Sequence, residues 1–138
     1  MPDDVRRIFE EAREVSAVSP RSAAALLRLA LQVLINDLEP GNGTLDVKIG
    51  RLVARGLSQE VARAMDVVRV IGNNAVHPGL IEMGGDVTPV PAMFTLLNLI
   101  VEQVIVRKAE VDRLFDSLPG GSREAIARRD GTVSSPES

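Results

Sequence analysis

From Met93 to Val106 the chain is apolar almost all round, interrupted by Thr95, Asn98, Glu102 and Gln103. No alternation of period two persists there, so the stretch reads as helix rather than strand. A helix that is apolar on every side has to be buried on more than one side. Thr88-Pro89 supplies its start, with Thr as N-cap and Pro in the first turn, and the helix is expected to run to about Ser117. A single domain of 138 residues offers few helices to cover it. A homodimer built partly on Ala92 to Val106 is therefore expected. The same segment is too short and too interrupted for a membrane span, and Met1-Pro2-Asp3-Asp4 is no signal-peptide start. The expectation is a cytoplasmic protein with no membrane partner.

The rest of the chain supplies the partner helices. Val5, Ile8, Phe9, Ala12 and Val15 fall at helical spacing, giving a first helix over about Asp3 to Ser16. Ser19-Pro20 starts a second, which runs to Leu38 with Ala23, Leu27, Ala30, Leu31, Leu34 and Ile35 on its apolar face. Thr44 caps a third, ending near Arg55 before Gly56, and Ser58 caps a fourth. Leu80 to Val87 reads as a loop. Ser122 caps a short C-terminal helix to Arg129. The class is all-α: residues 1–130 form a single helical bundle domain, and 131–138 a disordered polar tail.

Composition narrows the chemistry. Cys is absent, which removes disulfides, thiolate nucleophiles and zinc–thiolate sites. One His and no Cys leave no transition-metal site to expect, and no cofactor is indicated. Without Trp or Tyr, and with Phe9, Phe94 and Phe115 as the only aromatics, there is no base-stacking platform. A net charge of −3 argues against a broad nucleic-acid surface but leaves room for a local, Arg-lined one.

The candidate site lies in Val68-Arg69-Val70-Ile71-Gly72-Asn73-Asn74-Ala75-Val76-His77-Pro78-Gly79, which holds the only histidine. Amides inside an apolar helical pattern are costly unless bonded. If the helix runs through Gly72, Arg69, Asn73 and His77 stack at i, i+4 and i+8, drifting by about 80°. Pro78-Gly79 ends the helix beside the histidine, where a ligand could reach it. The other reading of these residues is structural: a histidine against the helix dipole, and Gly72 or Asn73 as a left-handed C-cap.

Three stretches in order carry a family likeness. They are Ser19-Pro20-Arg21-Ser22-Ala23-Ala24 running on to Arg28, Arg69-x-x-Gly-Asn-x-x-x-His77, and Leu118-Pro119 followed by Arg123, Ala125-Ile126 and Arg129-Asp130. Together they resemble the HEPN superfamily, closest to a poorly characterised bacterial branch. The resemblance implies a dimerising bundle of four to five helices with a short C-terminal helix. It also implies a metal-independent endoribonuclease of bacterial stress or phage defence, with RNA and a partner protein from the same operon as its partners. In that role Arg69, Asn73 and His77 are catalytic, with His77 as acid/base and Arg69 holding the phosphate, and Asn74 and Arg28 bind substrate. The alternative is a non-catalytic dimerisation or protein-interaction module, in which Arg69 pairs with a carboxylate such as Asp66 or Glu102. A carboxylate partner is also expected for Arg28. Whether the chain is an enzyme stays open at this point.

Overall fold

The computed structural model describes residues 1–75 and 89–131. The regular elements in them are all helical: α1 (Asp3–Val15), α2 (Pro20–Leu38), α3 (Leu45–Ala54), α4 (Gln59–Ala75), α5 (Val90–Val101), a π-helical turn (Glu102–Val106), α6 (Arg107–Asp116) and α7 (Gly120–Asp130). The all-α bundle expected from the sequence is the fold. His77, the Leu80 to Val87 loop, the Thr88 cap and residues 132–138 of the expected tail lie outside the described residues.

Local chemistry sets most of the helix starts. Ser19 accepts the Ser22 N–H at 3.2 Å and Pro20 follows it, so α2 begins where Ser-Pro dictates. Thr44 accepts from Val47 and Ser58 from Val61, both at 3.2 Å, starting α3 and α4. Gly56, at φ 107°, turns the chain between them in a conformation that glycine adopts without strain. The last helix starts earlier than Ser122, at Gly120 behind Pro119, and Gly131 closes it in the left-handed region.

Helix α2 is the axis of the bundle, packed by α1, α3, α4 and α5. Its Leu27, Leu31, Leu34 and Ile35 are fully buried, together with Val5 of α1, Met65 and Val68 of α4, and Met93, Leu97 and Ile100 of α5. Each such side chain contributes about 1.5–3 kcal/mol by leaving water. Ala23, Ala24 and Ala30 of α2 are buried as well, and their small side chains let neighbouring helices come close. Phe9 and Phe94 meet edge to face, with ring centroids 5.2 Å apart, and join α1 to α5.

The fifth helix departs from expectation. It is continuous from Val90 to Asp116, and by length and composition alone it could cross a membrane. Its first half instead lies in the bundle, where Val90, Met93, Leu97, Ile100 and Val101 are buried. Helices α2 and α4 both pack on this half, covering Met93, Leu97, Ile100 and Val101 and leaving Ala92, Thr95, Asn98, Glu102 and Val106 exposed. At Glu102–Val106 the helix loosens into a π turn, and the Arg107 N–H donates to the Glu102 carbonyl five residues back. The β-branched run Val104-Ile105-Val106 crowds this turn. Beyond it, no residue of α6 or α7 is buried.

Candidate functional site

Helix α4 runs unbroken through Gly72 to Ala75. No residue in it has a positive φ, so the left-handed cap considered at Gly72 or Asn73 is not formed. Arg69 and Asn73 therefore sit one turn apart, as the i, i+4 reading requires. Their partners, however, lie on different helices.

Arg69 is committed to carboxylates. Its Nε and Nη2 donate to Asp66 Oδ1 at 3.2 and 3.1 Å, and Nη2 lies 3.5 Å from Asp46 Oδ1 on α3. The Arg69 side chain is 21% exposed, against 44% for Asp66 and 71% for Asp46. Asp66 was legible as an i−3 neighbour. Asp46 was not, because it reaches Arg69 only once α3 has packed on α4.

Asn73 faces α2. Its Oδ1 accepts the Arg28 Nε–H, and Arg28 Nη1 donates to Gln32 Oε1 at 3.0 Å. The expected carboxylate partner of Arg28 is thus replaced by two amide oxygens; among the described residues no ion pair of Arg28 is formed. Neutral amides satisfy the guanidinium in this half-buried position without burying a second charge. Gly72 makes the contact feasible. A Cβ there would collide with Arg28 Cβ, so only glycine lets α4 approach the root of the arginine. Asn74 is half-buried, and among the described residues its side chain makes no hydrogen bond.

Of the five residues singled out, the structure joins Arg28 to Asn73, sets Arg69 against acids, and leaves Asn74 beside them; His77 is outside the described residues. Sequence reasoning missed Gln32, although its i+4 position after Arg28 was a usable signal. It also missed Lys48, which is buried and donates to Asn36 Oδ1 at 2.8 Å, and Glu39, which is buried 3.1 Å from Arg55. Two open clefts of about 460 Å³ each are lined by other residues: Phe9, Arg13, Phe94 and Asn98 for one, and Leu52, Arg55, Gln103 and Lys108 for the other.

This arrangement is poorly set up to receive an anion. A phosphate approaching Arg69 meets two carboxylates for one guanidinium, and it would have to displace them. At Arg28 it would have to break the amide contacts that join two helices.

Among known families, the model of one described as Domain of unknown function (DUF4145) matches residues 10–117. The chain belongs to this family. The DUF4145 match takes in the crossing of α2 and α4, the Arg69 cluster and all of α6, and it ends before α7. Comparison with curated proteins and with solved structures finds no match.

Proposed function

We propose that this DUF4145 domain is a HEPN-like, non-catalytic interaction module, acting in the cytoplasm, in which Arg69, Asn73 and Arg28 hold helices rather than substrate. One observation carries the reading: the Arg69 guanidinium lies between Asp66 and Asp46. In a metal-independent endoribonuclease the corresponding arginine has to be free for the phosphate of RNA, with His77 moving the proton.

The test pairs activity with stability. Wild-type protein should leave single-stranded RNA intact, with or without chelator. Arg69→Ala should lower stability by about 1 kcal/mol, since its acids are partly exposed and screened. RNA cleavage that disappears in Arg69→Ala and His77→Ala, with both variants melting like wild type, would establish the endoribonuclease reading instead.

A further inference from the structure

Gln103 is one of the polar residues that interrupt the apolar run of the long helix. It sits in the π turn, half-buried, and makes no hydrogen bond among the described residues. Together with Val104 it lines the second of the two open clefts. Leu52 of α3, Leu57 in the turn that follows and Val61 of α4 give that cleft an apolar floor. Its volume, about 460 Å³, falls inside the roughly 300–1,000 Å³ of small-molecule sites. A π turn within a long helix recurs at functional sites.

The charged lining has one sign. Arg55 and Lys108 line the cleft and no Asp or Glu does, in a chain whose 19 acids outnumber its 16 Lys and Arg. We propose that this cleft binds a small carboxylate with an apolar body, of the medium-chain fatty carboxylate kind. Its head group meets Arg55 and Lys108, and its chain lies over Leu52, Leu57, Val61 and Val104. The claim goes beyond the interaction-module reading and does not depend on it.

Arg55 is anchored but not used up. Its Nη2 donates to the Leu38 carbonyl at 3.3 Å and lies 3.1 Å from Glu39, which is buried and outside the lining. Its Nε and Nη1 make no hydrogen bond among the described residues, so they remain to donate to an anion. Lys108 follows Val104 by four residues and faces the same way. Its partner Asp112 belongs to an exposed i, i+4 pair, which gives way readily. The contrast with Arg69 is direct. There two carboxylates share one guanidinium; here two cations line a cleft from which both of their acids are absent.

The exposure of the cations selects the rest of the ligand. Arg55 is 57% exposed and Lys108 68%, so a bare anion gains little from them. An alkyl chain on the floor adds the burial of apolar surface that an inorganic ion lacks.

Calorimetric titration with decanoate, below its micellar range, tests the assignment. Decanoate should bind saturably at one site, and octanoate roughly tenfold more weakly for its two missing methylenes. Decan-1-ol and inorganic phosphate, each lacking one half of the ligand, should both bind more weakly than decanoate. Lys108→Glu, at an exposed position, puts an acid into the lining and should weaken decanoate at least about tenfold. Val104→Phe, which fills part of the floor, should weaken it as well, with an unchanged melting curve showing that the fold is intact. Arg13→Ala in the other cleft and Leu114→Asp on the exposed face of α6 should leave the affinity as it is. An absence of saturable binding, decan-1-ol or phosphate binding as tightly as decanoate, indifference to Lys108→Glu, or a loss confined to Arg13→Ala or Leu114→Asp overturns the assignment.

Discussion

Leu97 and Leu114 sit on one continuous helix, seventeen residues apart, in opposite surroundings. Leu97 is wholly buried, and Leu114 is 57% exposed. Between Val90 and Val101 no charged residue interrupts the sequence, and the helix can be clasped by α2 and α4 together. From Arg107 to Asp116, six of ten residues are charged, and the apolar ones are confined to a stripe. The difference teaches that apolar content decides whether a helix can be buried. The spacing of charges decides whether one face or all of it is.

Three substitutions break or sharpen that contrast. Leu97→Ala leaves a cavity in the centre of the bundle and should cost about 2–5 kcal/mol in chemical denaturation. Gly72→Ala forces apart α4 and α2, whose backbones approach at Arg28, and should cost about 1–3 kcal/mol by overpacking, with a lower melting temperature as the readout. Leu114→Ala should change the stability of the dilute monomer by no more than about 0.5 kcal/mol, because the side chain has little to lose. Equal losses for Leu97→Ala and Leu114→Ala would show that α6 is packed within the chain after all.

Much of this fold was legible because its determinants are local. Ser19-Pro20 placed the start of α2 and the run of Leu and Ala placed its buried face, since cap and period are both written within a few residues. Local readings failed where two segments had to meet. Arg28 and Asn73 are 45 residues apart in sequence, so nothing near Arg28 announced an amide partner in place of an acid. Asp46 was hidden for the same reason. Which side of α5 its own chain covers was not legible, because the sequence shows how apolar a helix is, not how many neighbours clasp it. The π turn escaped notice because a β-branched run also suits an ordinary buried helix.

That turn has a bearing on how such chains diverge. Removing one residue from Glu102–Val106 restores an ordinary helix, and adding one widens the distortion; either change rotates everything after it by about 100° and shifts it by about 1.5 Å. The fully buried core ends at Val101, and of the turn only Val104 and Ile105, which pack partly buried on its edge, would have to readjust. A single-codon insertion or deletion here therefore acts as a dial on the direction in which the exposed face of α6 points, under a looser packing constraint than the fully buried residues before it. Chains that share the same bundle can differ in where their last helices point through this one adjustable joint.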